Sequence, residues 1–238
     1  MQNIELKLNN IDNYFVNESF KTLRTNLQFC GANNKVIDVT SCDENEGKTT
    51  IALSLAKNLS ELKKKVIFLD CDMRKSVVST RYSNARYVKG LSEYLSDMTQ
   101  KEEIFCSTQY ENFDVILSGP YCPNPVDLIT SDKFTELIKE LRENYDYIIV
   151  DTPPLGLVID SAVVAKNCDA AIMVVNSGKI RYRQARATKA QLEKSGCKIL
   201  GVILNHASKN GDRYYKKYYK RYYGNSYYSH YEPKDGGY

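Results

Sequence analysis

Gly47-Lys48-Thr49-Thr50 and three aspartates, Asp70, Asp72 and Asp151, are the residues whose types and spacing could do chemistry. A lysine and a hydroxyl residue at a helix start can hold phosphate. The ammonium reaches the outer oxygens, the hydroxyl binds Mg²⁺, and backbone N–H groups wrap the rest. The usual spacing is G-x-x-x-x-G-K-[ST]; here Cys42 stands at the first glycine position, so the match is loose. Asn45 stands where a left-handed turn is needed, and Asn tolerates that conformation. Mg²⁺ takes oxygen ligands, typically one or two carboxylates plus nucleotide phosphates. Thr49 with Asp151 would supply one hydroxyl and one carboxylate. Phosphoryl transfer asks mainly for positioning and charge neutralisation, which Lys48 and the metal can give, while a carboxylate such as Asp70 orients an attacking hydroxyl. A carboxylate after a strand can equally be the N-cap of the next helix.

The elements that must position these residues alternate between two periods. The polar residues 1 to about 16 are expected to be loosely held. A helix is expected from Asn17-Glu18, with Phe20, Leu23 and Leu27 toward the core and Glu18, Lys21 and Arg24 on the other face. The β-branched run from Val36 ends in the phosphate loop, and an Ala/Leu-rich helix then continues to about Leu62, burying Leu53, Leu55, Ala56 and Leu59. Val66–Leu69 and Tyr147–Val150 lack alternation, as parallel strands covered on both faces do, and they deliver Asp70 and Asp151. Further strands are expected at Phe113–Leu117, Ala170–Val175 and Ile199–Leu204. Helices are expected near Leu91–Asp97, at Ser131–Asn144 with Ser131 as N-cap, and near Arg181–Ser195. Ser118 to Pro125 reads as a rigid loop. The pattern predicts an α/β fold of the P-loop NTPase type, three layers around a mainly parallel sheet. Ligands in such sheets sit beyond the carboxyl ends of the strands, where the loop, Asp70 and Asp151 should converge.

At 238 residues the chain fits one large domain with an appendage: a core of residues 1–208 and a tail of 209–238. No apolar stretch has the length of a spanning helix and no signal-peptide pattern opens the chain, so a cytoplasmic location is expected, with membrane contact only through a partner. Seven cysteines without a C-x-x-C pair argue against a disulfide framework or zinc site. Cys30, Cys168 and Cys197 read as buried small hydrophobes. Cys42 and Cys71 fall inside the phosphate-site motifs, where oxidation could interfere with nucleotide binding. The net charge of +4 belongs to the tail, which has seven Lys/Arg and three Asp/Glu from Lys209 onward against 26 of each before it.

The combination resembles the bacterial tyrosine kinases, BY-kinases, of capsule and exopolysaccharide operons, which share a branch of phosphate-loop proteins with the partition and Min-type ATPases. SCDENEGKTT is similar to their Walker A loop, with Asn45 replacing a glycine, VIFLDCDMR to their Walker A′ motif, and YIIVDTPP to their Walker B. SGPYCPNPVDLI resembles their G-x-x-P-P-N-P-x-E-L-L loop. ESFKTLR resembles their E-x-x-R-x-x-R oligomerisation helix, with Lys21 for the first Arg. The resemblance implies ATP and Mg²⁺, cradled by Asn45, Glu46, Gly47, Lys48, Thr49 and Thr50, with Asn205 near adenine. It implies metal ligation by Thr49, Asp70 and Asp151, and catalysis by Lys48, Asp70 and Asp72, which organise metal and activate a tyrosine hydroxyl. An aspartate near its usual pKa is a poor base for a phenol, so orientation or late proton transfer is the expected role. Implied partners are a ring-like homo-oligomer through Glu18, Lys21 and Arg24, a transmembrane activator that recruits the chain to the inner membrane face, and a cognate tyrosine phosphatase.

The tail, YYKKYYKRYYGNSYYSHYEPKDGGY from Tyr214, holds ten of nineteen tyrosines and no aliphatic residue. By resemblance it is the autophosphorylation substrate, at Tyr214, Tyr215, Tyr218, Tyr219, Tyr222, Tyr223, Tyr227, Tyr228, Tyr231 and Tyr238. The span from Asn205 to Tyr214 can stretch roughly 30 Å, enough to reach a phosphate site of its own or a neighbouring chain. Aromatics interleaved with cations also suit nucleic-acid phosphates and bases, as a partition-like ATPase would require, or an anionic membrane. The substrate reading is preferred and no nucleic acid is expected. An iron–sulfur carrier ATPase is disfavoured by the missing C-x-x-C.

Overall fold

The computed structural model describes residues 2–8, 14–85 and 88–207. Met1–Asn205 form the compact unit that carries the sheet. The strands are β1 (Gln2–Ile4), β2 (Val36–Ser41), β3 (Val66–Asp70), β4 (Phe105–Thr108), β5 (Phe113–Ile116), β6 (Tyr147–Asp151), β7 (Ala170–Asn176) and β8 (Lys198–Asn205). They lie in the order β1-β4-β5-β3-β6-β2-β7-β8. All pairings are parallel except that of β4 with β5.

Because side chains alternate along a strand, the unbroken apolar runs divide between two cores. Ile37, Val39, Val66 and Phe68 face one side, with Leu53, Leu55, Ala56 and Leu59 of helix α2 (Lys48–Ser60) and Leu27 of α1 (Tyr14–Phe29). Val36, Ile67, Leu69, Ile148 and Val150 face the other, with Phe134, Leu137, Ile138 and Leu141. Those four line one side of a helix over Asp132–Asn144, whose N-cap Ser131 accepts from Phe134 N. Fully burying such a side chain contributes roughly 1.5–3 kcal/mol. The cover on both faces holds the strand ends, and the loops that follow them, in fixed register.

The remaining helices, numbered in chain order, are α3 (Leu91–Leu95), α4 (Pro125–Ile129), α5 (the Asp132–Asn144 helix), α6 (Asp160–Val164) and α7 (Tyr182–Glu193). Several expectations need correction. The first residues are not loose, for β1 pairs with β4 and buries Ile4, while Leu6, also buried, bridges Ser83. Their polar composition hid a pairing that exists only once the edge of the sheet is built. The first helix begins at Tyr14, not Asn17. The stretch after Asn124 is helical, with Pro125 in the first turn where its missing N–H costs nothing. Cys30, Cys168 and Cys197 are only partly buried, whereas Cys42, Cys71 and Cys106 are fully so.

Candidate functional site

The phosphate loop spans Cys42–Gly47 between β2 and α2. Asn45 adopts φ 59° and Gly47 φ 85°, so Asn45 makes the expected left-handed turn. Glu46 turns its side chain into the loop. Its side chain is buried and accepts from the backbone N–H groups of Cys42 (2.6 Å), Asp43 (2.8 Å) and Asn176 (2.9 Å). The loop is therefore braced from within by its own carboxylate. Asn205, at the end of β8, donates through Nδ2 to the Glu46 carbonyl at 2.8 Å. A Cβ at Gly47 would lie 2.1 Å from that same nitrogen.

The three motif aspartates meet at the carboxyl edge of the sheet. Asp70 and Asp151 are register partners on adjacent strands, both buried. The Lys48 ammonium donates to Asp151 Oδ1 at 2.7 Å, and the Thr49 hydroxyl donates to Asp151 Oδ2 at 2.7 Å. Asp70 accepts from the Ser76 hydroxyl at 2.5 Å and from Asp72 N at 3.1 Å. Asp72 accepts from Lys75 N at 2.9 Å and lines the cleft with the loop. Burial pulls the Lys48 ammonium down, but Asp151, Asp72 and Asp70 outweigh it and leave it above its ordinary value. Burial, reinforced by Asp151, pushes the Asp70 carboxyl up to about 7. A cation bound at this carboxylate would draw it down again.

The cleft above these groups measures about 310 Å³. A larger one, about 490 Å³, lies around Lys65, Asp114 and Tyr145 at the amino ends of the strands, away from the motifs. Three carboxylates around one ammonium leave surplus negative charge, and the donors are oxygens, so the set suits Mg²⁺. Thr49, Asp151 and Asp70 would hold it. Among the described residues no three His, Cys, Asp or Glu side chains are grouped so as to hold a metal ion by themselves.

Other site residues carry no motif in the sequence. The Thr50 and Tyr82 hydroxyls lie 2.6 Å apart at the cleft, with Tyr82 ending a π-helical turn over Val78–Tyr82. Arg74, also at the cleft, donates through Nε to Asp160 Oδ1 at 2.9 Å; Asp160 is fully buried and its Oδ2 has no partner. Next to it, Ser161 donates to Asp38 Oδ2 (2.9 Å), and Thr152 donates to Asp38 Oδ1 (2.7 Å). The first turn of α6 thus holds both the Walker A′ segment and the strand below the phosphate loop. Burial raises the Cys42 and Cys71 thiols, which makes them weak thiolates.

Glu18 and Lys21 form the expected i, i+3 ion pair at 2.7 Å. Arg24 turns inward, donating to the Asn58 carbonyl (3.1 Å) within 3.7 Å of Glu61. The ten tail tyrosines lie outside the described residues, and no helix among those described is long and apolar enough to cross a membrane.

A parallel sheet, a strand–loop–helix phosphate cradle and strand-end aspartates define a phosphate-loop nucleotide-binding protein, and a family model described as an AAA domain matches residues 34–182. The tyrosine-protein kinase CpsD of Streptococcus agalactiae serotype Ia is 40% identical, over 83% of this chain and 85% of that protein. The tyrosine-protein kinase YwqD of Bacillus subtilis is 35% identical, over 79% of this chain and 80% of that one. Among solved structures, the kinase domain of Escherichia coli tyrosine kinase ETK superposes with a TM-score of 0.80 at 30% identity, covering 86% of this chain and 80% of that one. The septum site-determining protein MinD of Pyrococcus horikoshii, complexed with Mg-ADP, reaches 0.61 at 27% identity, covering 74% and 72%. The chain belongs to the bacterial tyrosine kinase family.

Proposed function

We propose that this protein is an ATP-dependent protein-tyrosine kinase that phosphorylates its own C-terminal tyrosines and regulates capsular or exopolysaccharide synthesis. The observation that carries the reading is the meeting of Asp70 and Asp151, register partners at the carboxyl edge of the sheet, with Lys48 and Thr49 of the phosphate loop, in a chain so similar to named tyrosine kinases. The γ-phosphoryl group passes from ATP to a tyrosine Oη, the bond to the β-phosphate oxygen breaks, and the phenolic proton moves to Asp70 Oδ. Lys48 and the loop N–H groups hold the phosphates, and Asp72 helps shape the acceptor side of the cleft. Bound Mg²⁺ supplies charge neutralisation of the phosphates. A homo-oligomer, a transmembrane activator that brings the chain to the membrane and a tyrosine phosphatase complete the proposal.

Incubation with ATP and Mg²⁺, with and without an activator segment, followed by phosphosite mapping tests it. Phosphotyrosine between Tyr214 and Tyr238 that vanishes in Lys48→Met is expected. Nucleotide hydrolysis without phosphotyrosine, even with the activator, would favour a Min-like ATPase.

A further inference from the structure

Within the first 208 residues the charges balance in number but not in place. Between Ser177 and Lys198 stand seven Lys/Arg and one acid, Glu193. Seven of 26 cations and one of 26 acids removed leave 19 against 25 elsewhere. All seven cations are exposed, and among the described residues only Lys189 has a carboxylate partner, Glu193. Helix α7 buries Thr188 and Leu192. At 100° per residue Arg183, Arg186 and Lys194 then fall on its outer side and Lys189 on its flank, with Tyr182 on the same flank at 81% exposure.

An apolar strip runs beside this helix. β8 is an edge strand, and Val202 and Leu204 are 52% and 51% exposed. Their register partners Met173 and Val175 belong to the apolar cluster with Ile180 and Ala185, on the face that α7 covers. In-register neighbours share a face, so Val202 and Leu204 lie on that face beyond the reach of the helix.

We propose that the outer side of α7 and the uncovered side of β8 form a contact surface for an anionic lipid bilayer, with the cations at the headgroups and Tyr182, Val202 and Leu204 at the acyl boundary. Cations beside exposed apolar and aromatic groups match both parts of such an interface. A nucleic-acid backbone would use only the charges. The surface adds a direct contact to the recruitment expected through a partner, and stable anchoring generally needs two signals. The inference goes beyond the kinase reading and does not depend on it.

Flotation of the full chain with phosphatidylcholine vesicles, with and without phosphatidylglycerol, tests the surface without ATP. Binding to the anionic vesicles alone, weakened by salt, is expected. Each cation at such a surface is worth roughly fivefold, so the triple substitution Arg183→Gln, Arg186→Gln, Lys189→Gln should weaken binding by on the order of 100-fold. Val202→Ser with Leu204→Ser should weaken it while leaving affinity for a short DNA duplex unchanged. A tail variant with Lys216, Lys217, Lys220 and Arg221 each changed to Gln should keep most of the binding. Unaltered flotation of the triple variant, loss confined to the tail variant, or duplex DNA bound more tightly than vesicles would overturn the proposal. Circular dichroism of each variant separates loss of the surface from loss of the fold.

Discussion

Replacing Glu46 by Gln tests whether the phosphate loop is shaped from within. The Glu46 carboxylate is 1% exposed and accepts three backbone N–H bonds, two at Oε2 and one at Oε1. A glutamine keeps one carbonyl oxygen, which can serve Cys42 and Asp43. Its NH₂ group then faces the Asn176 N–H, donor against donor. A buried donor without an acceptor costs about 1–3 kcal/mol, and the lost charge assistance at the other two bonds adds about 1 more. For a unit of this size 1 kcal/mol moves Tm by about 2–4 °C, so a fall of roughly 5–15 °C is expected. Thermal unfolding by circular dichroism measures it, with a fluorescent ATP analogue titrated well below either transition. Nucleotide affinity should fall at least about tenfold, equivalent to ~1.4 kcal/mol of loop distortion. A variant that melts within about 1 °C of the parent and binds nucleotide equally well would refute the brace.

Asp38→Asn should flatten a pH dependence. Burial pushes the Asp38 carboxyl from 3.8 up to about 7, so the folded state keeps a proton that the unfolded chain releases. Its contribution to stability is full below about pH 4, falls up to about pH 7 and is level above, a span of roughly 4 kcal/mol. Urea unfolding at pH 5 and pH 8 should show the parent losing more than the variant, and equal losses would count against the shift. Gly47→Ala forces a left-handed alanine and displaces Asn205, costing about 1–2 kcal/mol of backbone strain plus the clash. In an Asn205→Ala background only the strain should remain, so a double-mutant cycle on stability that shows no coupling would contradict the geometry. Arg74→Ala strands the buried Asp160 charge. Because Arg74 is a third exposed, about 2–3 kcal/mol is expected in denaturant unfolding, less than for a fully buried pair. Asp160→Asn in the same background should recover part of it.

What the sequence revealed followed from periodicity and from punctuation. Runs such as Val66–Leu69 state their own burial, and Gly47-Lys48-Thr49 marks a helix start whatever else surrounds it. Asp70 and Asp151 were legible because both end such runs. β1 and β4 were not, since strands of 3 and 4 residues draw their stability from neighbours that sequence windows do not see. The brace made by Glu46 is not legible, because a position in the loop says nothing of which way the side chain turns. Asp38 lies inside a strand pattern that reads as apolar, and only the hydroxyls of Thr152 and Ser161, more than a hundred residues away, make it tolerable. The basic helix face does not show in the net charge, because acids elsewhere in the first 208 residues cancel it.

The bonds from Lys48 and Thr49 to Asp151 also bear on selectivity between forms of the nucleotide. Phosphate does not enter an open socket; it competes with a carboxylate already engaged on both sides. Free ATP would have to draw Lys48 away while leaving Asp151 buried without compensation. The magnesium complex offers the carboxylate a cation in exchange, so the swap is close to charge-neutral. Asp151 would then penalise metal-free nucleotide, and its removal should narrow the gap between the two affinities.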